Sequence, residues 1–430
     1  FLGALDRKTL KPLASRPTAP AGIRETDRPG PQGGPLVGAN PQLDENLIRL
    51  LFLFGGWRGD QYPKAAEEQL SWFLKNTQSP ATGLLPWGEH LCWNVMTDEV
   101  ASGSVEPMHE FARPWLLWEK CFQLAPAESK KFALGLWENQ VADHETGAFD
   151  SQASFNKSAP KDGMDSPRHA GFCIRTWAEA YAHTKDQTFL KAIDVMLTRF
   201  EKKRHPKTGL IEMNKGSDRC SPASSLSLAI DCDAAARKVS EPLATRLSSF
   251  AAREDKIFCS LPHDLKGKKG FVAEVELATG KATGKYTSVW QAQYGQHTTA
   301  SMAMMCVSRY ENTGYVGYRD LISDSADVYL DSLPAEDIDL WPMTLGHAIS
   351  LELAAFRATT RGEYHLWAYT LGQFAIKNFW GDSPLPRASL KTDHYESITG
   401  AGTLALALEE LWVSTAHING VLVPANTIDR

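Results

Sequence analysis

No apolar run in this chain approaches the ~18–20 residues a helix needs to cross a bilayer. The densest, Leu47 to Phe54, is far too short. An excess of basic residues is also missing: 45 Lys+Arg against 51 Asp+Glu leave a net charge of −6. That excludes the basic footprint of a nucleic-acid binder. The seven cysteines form no CxxC pair and no zinc-ligand spacing. Cys92, Cys121, Cys173 and Cys306 lie among apolar residues and read as buried thiols. Cys220, Cys232 and Cys259 lie in a more polar region that leaves room for one disulfide. HExxH, P-loop, GxSxG and dinucleotide-binding fingerprints are absent, so the chemistries those motifs announce have no support. Strand-like alternation is sparse, FVAEVELATG (271–280) being the best candidate for a surface hairpin. The chain opens on Phe1 without a charged-then-apolar leader. The expectation is a leader already removed and a secreted or periplasmic, bacterial-type setting.

What the chain has is helical periodicity. After residues 1–40, rich in Pro and Gly and expected as an extended arm, apolar residues recur at i, i+3, i+4 and i+7 in ENLIRLLFLF and KAAEEQLSWFL. Similar stretches recur to TGAGTLALALEELWVST near the end. Thr-Gly loops follow at Thr82, Thr146 and Thr208, spaced 64 and 62 residues apart. A repeat of about 60 residues, each one helical hairpin, predicts a stacked array or a closed ring. Trp, His and Gly cluster in the loops, which favours the ring: an all-α (α/α)6–7 toroid over residues 41–430 with a small β-hairpin insertion and a site at one mouth.

Thirteen Trp and twelve His residues supply sugar-stacking faces and acid–base groups. GLLPWGEHLCWN, read as a loop entering a helix, brings Trp87, Glu89, His90, Trp93 and Asn94 within eight residues. EPMHEFARPW carries His109, Glu110 and Arg113, the His and Arg sharing a face if helical. Arg168 and His169 stand at a predicted helix start. Tyr294 and His297 are three apart on a predicted helical face, a pairing suited to proton removal and delivery. WPMTLGHAIS contributes Trp341 and His347, and PLPRASLKTDHYE contributes Arg387, His394, Tyr395 and Glu396. The remaining histidines lack such settings and read as surface or packing residues.

The repeated hairpins, TGLLPWGEH, the His109–Glu110 pair, LGHAIS and PLPRASLKTDHYE together resemble the six-hairpin (α/α)-toroid carbohydrate-active enzymes. Within them the chain looks most like lyases that cleave uronate-containing polysaccharides by β-elimination. The resemblance implies an acidic polysaccharide or oligosaccharide substrate and three tasks. The uronate carboxylate must be neutralised, the C5 proton removed and the leaving oxygen protonated. For these it implies Asn94 with Arg387 or Arg113 on the carboxylate and His90, His109 or His297 as base. Tyr395 or Tyr294, with His394 beside them, is the acid, and Trp87 and Trp93 stack the flanking sugars. Glu89, Arg168, His169 and His347 complete the expected binding set. The residues assign no particular cofactor, and a divalent metal at Glu89, His90 and His109 is chemically open.

Three rivals remain. A hydrolase of the same fold, of the unsaturated-uronyl type, would use carboxylates from among Glu89, Glu110, Asp165, Asp393 and Glu396. A sugar 2-epimerase would share LGHAIS, although Ser350 stands where the GHxxE segment carries Glu. A non-catalytic glycan-binding toroid would keep the tryptophans and tolerate loss of His and Tyr. The sequence does not set the oligomeric state.

Overall fold

The structure, a computed structural model, describes residues 1–103, 106–418 and 420–430. Its described residues form an all-α ring. The helices are α1 (Glu45–Phe54), α2 (Gln61–Thr77), α3 (Trp118–Leu124), α4 (Pro126–Gln140), α5 (Pro167–Thr184), α6 (Gln187–Lys202), α7 (Pro222–Ala236), α8 (Leu243–Cys259), α9 (Thr299–Thr313), α10 (Val316–Tyr329), α11 (Pro342–Thr359), α12 (Gly362–Ala375) and α13 (Ala401–Thr415). Consecutive helices pack as hairpins, and α5, α7, α9 and α11 also pack on one another in order. Helix α13 packs on both α11 and α1, which closes the ring.

The sequence builds this locally. Helices α5, α7 and α11 open with Pro at their first position, where the missing N–H costs nothing. Ser166, Ser221 and Thr298 cap α5, α7 and α9 with side-chain oxygens. Gly83, Gly147 and Gly209, the glycines of the three Thr-Gly loops, all adopt left-handed backbone with φ of 72°, 69° and 73°. The repeat seen in the sequence is therefore one turn used three times, after α2, α4 and α6.

Three sequence expectations change. Leu91–Asn94 is not a helix entrance but the centre of a three-stranded antiparallel sheet with Gly38–Ala39 and Glu99–Ser102. Met108–His109 is a short strand paired with Ala153–Ser154, so His109 and Arg113 share no helix face. Helix α9 starts only at Thr299, leaving Tyr294 and His297 in the preceding loop. The segment 271–286 carries the expected strand character through Val275–Glu276, which pairs with Arg219–Cys220. All seven cysteines are free.

Residues 1–40 run across the mouth. The strand Ala4–Asp6 pairs antiparallel with His394–Glu396. Arg28, fully buried, binds Glu396 through two bonds of 2.9 Å each, from Nε and Nη2. Further along, Trp341 Nε1 donates to the Ala21 carbonyl at 3.0 Å, and the Tyr294 amide donates to Gly22 at 3.1 Å.

A buried forked pair costs most when one member is removed, because the partner charge is stranded. Arg28→Ala is expected to lower the unfolding free energy by about 3–5 kcal/mol in urea titrations. A loss below 1 kcal/mol would show that the strap is not held by this pair. Burial opposes ionisation of Glu396, but His394 and Arg28 outweigh it and hold its pKa below the ordinary range. A depressed carboxylate pKa stabilises the fold above the unfolded-state value, and that contribution is lost as pH falls through the folded one. Acid unfolding of Glu396→Gln is therefore expected to depend less steeply on pH than that of the parent.

Candidate active site

A small cleft opens at the mouth where the turn at Glu89, the start of α5, the loop before α9 and the C-terminal residues 429–430 meet. Glu89, Arg113, Arg168, Tyr294, His297 and Met343 line it, joined by Gln293, Gln296, Asp429 and Arg430. Charged groups converge here because the ring places loops, not strands or helix interiors, at one end.

Glu89 and Glu110 are neighbours, a carboxylate oxygen of each within 4.8 Å of the other. Burial, and then the Glu89 charge, push the Glu110 carboxyl above the ordinary range. Gln152 Nε2 donates to its Oε2 at 2.6 Å. His90 joins the pair: one ligand atom from each of Glu89, His90 and Glu110 lies within 4.8 Å of the others. The strap orients His90, whose Nδ1 is 3.1 Å from the Thr26 carbonyl and 3.5 Å from Asp27 Oδ1. Two carboxylates and one imidazole are a donor set that fits a divalent cation.

Arg168, at the start of α5, is the charge that this cluster and the cleft share. It bonds the Ala112 carbonyl and lies over the Phe172 ring, 5.5 Å from its centroid. Burial lowers the pKa of His297 to about 4, with Arg168 the next cause. The same two causes lower His169 to about 3. Both rings are thus neutral bases at pH 7. Burial and the Glu89 charge push the Tyr294 hydroxyl up, so it keeps its proton. Arg113 lies on the cleft wall, its Nη1 2.9 Å from Asp429 Oδ1.

Other expected site residues lie elsewhere. Trp87 is 1% exposed, ringed by Phe73, Phe111, Trp115, Trp118 and Phe132, and presents no face to a sugar. Its Nε1 donates to His109 Nε2 at 3.0 Å. His109 is 0% exposed, and burial lowers its pKa to about 3. It is a core histidine that neither reaches substrate nor joins a metal cluster; its neighbour Glu110 takes that place. Asn94 Oδ1 accepts from the Met96 and Thr97 amides and so stabilises a turn, and the residue does not line the cleft. Trp93 sits on that hairpin, its Nε1 donating to Asp98 and its ring edge-on to Trp72. Tyr395 and His394 belong to the strand that holds the strap. Burial, and then the nearby Asp44 charge, raise the Tyr395 hydroxyl far above the usual range. His394 Nε2 is 2.8 Å from Glu396 Oε2. Arg387 is 40% exposed and faces Asp393. His347 does not line the cleft but meets Asp429 Oδ2 at 3.0 Å.

The sequence reading missed Asp429 and Arg430, and it named Glu110 in a candidate cluster and as a possible hydrolase carboxylate without placing it in the metal set. The first two follow a stretch without periodicity or motif, and nothing local marks them as site residues.

The chain matches a family model described as periplasmic pectate lyase over residues 30–212. Glu89, His90, Glu110, Arg113, Arg168 and His169 all fall inside that segment. No curated protein sequence matches. Among solved structures, the chain resembles a D-mannose isomerase at TM-score 0.55 and 12% identity, with 83% of this chain and 99% of that one covered. A sugar epimerase from a ruminal bacterium follows at 0.52 and 12%, covering 82% and 99%. The cellobiose 2-epimerase of Bacillus thermoamylovorans gives the same score and identity over 81% and 99%. These likenesses show the (α/α)-toroid fold. No helix is long and apolar enough to cross a membrane among the described residues.

A cation at Glu89, His90 and Glu110 competes with the Glu110 proton. Manganese or calcium at ~100 times its dissociation constant is expected to add about 2.7 kcal/mol of stability. The gain should grow with pH and vanish in Glu110→Gln. Thermal unfolding with and without chelator checks this, and an identical shift in the variant would place the cation elsewhere.

Proposed function

We propose that this protein is a secreted or periplasmic lyase that cleaves pectate-type, uronate-containing polysaccharide by β-elimination. The observation that carries the reading is the convergence of Arg113 and Arg168, both inside the segment matching the pectate lyase model, with Tyr294 and His297 at one cleft.

The chemistry follows from the charges. The C5 proton of a uronate is barely acidic until its carboxylate is neutralised, because the carbanion formed on deprotonation spreads into that group. Arg113 and Arg168 bring fixed positive charge to this place, where developing negative charge is worth most to stabilise. His297, neutral at pH 7, accepts the C5 proton. The electron pair left at C5 forms the C4–C5 double bond as the C4–O bond breaks. Tyr294, which retains its proton, delivers it to the departing oxygen. A divalent cation held by Glu89, His90 and Glu110 would supply further positive charge beside the substrate carboxylate.

The alternative is a glycoside hydrolase, which the neighbouring Glu89 and Glu110 invite. Flanking carboxylates in such enzymes stand ~5 Å or more apart with the scissile bond between them. Here one carboxylate oxygen of each lies within 4.8 Å of the other and of a His90 nitrogen, a spacing that suits a shared cation or proton.

The test is the ultraviolet absorbance of the new C4–C5 double bond during incubation with polygalacturonate, alginate, glucuronan and glycosaminoglycans. A rise on polygalacturonate is expected. Arg168→Ala is expected to lose about 10²–10³-fold in kcat, and His297→Ala or Tyr294→Phe about 10²–10⁴-fold. Reducing sugar released without that absorbance, and abolished by Glu89→Gln, would replace the lyase with a hydrolase.

A further inference from the structure

The segment 424–430 reaches from the end of α13 into the middle of the ring, and its polar side chains are satisfied by inner helices. Asn426 Nδ2 bonds Ser350 Oγ at 2.9 Å and the Thr403 carbonyl at 3.1 Å, and its Oδ1 accepts from Asn46 at 2.9 Å. Arg430 forks onto Asp231 at 2.9 and 2.6 Å and also bonds Ser227. Between them stands Asp429, whose side chain is 7% exposed. Its Oδ2 lies 3.0 Å from both His347 Nε2 and Thr403 Oγ1, while Oδ1 faces Arg113 Nη1 at 2.9 Å. Burial alone would raise the pKa of this carboxyl; Arg113, then His347 and Thr403, outweigh it, and it stays ionised.

We propose that Asp429 is a positioning residue for the lyase site, fixing the Arg113 guanidinium at the angle from which it meets the substrate carboxylate. This rests on the lyase reading. The physical reason is entropic: an arginine side chain loses much rotamer freedom on binding unless it is already held. A carboxylate held through Oδ2 by His347 and Thr403 presents Oδ1 to the guanidinium as a fixed counter-charge. Among the described residues, the other side-chain atom within bonding reach of the Arg113 guanidinium is the Met343 sulfur at 3.9 Å from Nη2, which is too weak a partner to orient a fork. Residue 429 lies far outside the segment that matches the family model, so a distant part of the chain completes the site.

Two measurements test this. In the ligand-free protein, nitrogen NMR of the Arg113 Nη groups reports rotation about the Cζ–Nε bond. Restricted rotation is expected in the parent and averaged rotation in Asp429→Asn; equal mobility in both overturns the proposal whatever reaction the enzyme performs. On polygalacturonate, a double-mutant cycle of Asp429→Asn and Arg113→Ala is read as kcat/KM. Each single change is expected to lower it about 10²-fold, mostly in kcat, with the double variant no worse than Arg113→Ala. Multiplying losses, or full activity in Asp429→Asn, would also overturn it. Should Asp429→Asn fail to fold, Thr403→Val removes one anchor and is expected to loosen Arg113 by the same NMR signature; unchanged Arg113 rotation counts against the proposal. A parent enzyme silent on every uronate polymer sinks the lyase reading, and the NMR comparison still decides the positioning.

Discussion

Closure of the helical ring is the constraint on which the rest of the molecule depends. Each helix hairpin has an apolar face it cannot cover alone, and neighbours cover it on both sides until α13 meets α1. That last contact joins residues more than 350 positions apart. Asn46 of α1 bonds Thr403 of α13 directly at 3.0 Å. Only after closure do the arm and the strand His394–Glu396 lie close enough to pair, and only then does the cleft acquire walls from both halves of the chain.

The cleft itself is an arrangement of fixed charges at low solvent exposure. Three arginines are gathered there, and two of them are ion-paired: Arg113 with Asp429, and Arg430 with Asp231. Burying such groups singly would cost several kcal/mol per ion; burying them in pairs keeps them charged and immobile. The opposite holds at Glu110, where burial and a second carboxylate favour the proton. One site thus holds guanidinium cations, two imidazoles that burial keeps neutral and a carboxyl that burial keeps protonated, all set by surroundings rather than by residue type.

The comparisons divide along the same physical line. The whole ring resembles isomerases and epimerases at 12% identity, because apolar faces of the right size are enough to pack helices into a toroid. The pectate lyase match covers 30–212, the stretch whose loops carry the acidic pair and Arg168. Fold and chemistry are specified by different residues, so they can point to different relatives.

Much of the fold was legible locally. The i, i+3, i+4 spacing marked the helices, and the Thr82, Thr146 and Thr208 loops marked the repeat, because periodicity and turn chemistry act over a few residues. The clusters around Glu89, Arg113, Arg168 and Tyr294–His297 were legible as well, since loops of a ring gather at its mouth. What the sequence could not determine was which members of a cluster face solvent. His109 and His297 are the same residue type in similar motifs, yet one is sealed beside Trp87 and the other lines the cleft. Trp87 reads as a sugar platform and is core; Tyr395 reads as an acid and anchors the strap; Asp429 carries no signal and stands at the centre. Local spacing determined the helices and the candidate loops. Tertiary structure alone decided exposure, partners and charge state, because each of these is set by residues that ring closure brings together from distant parts of the chain.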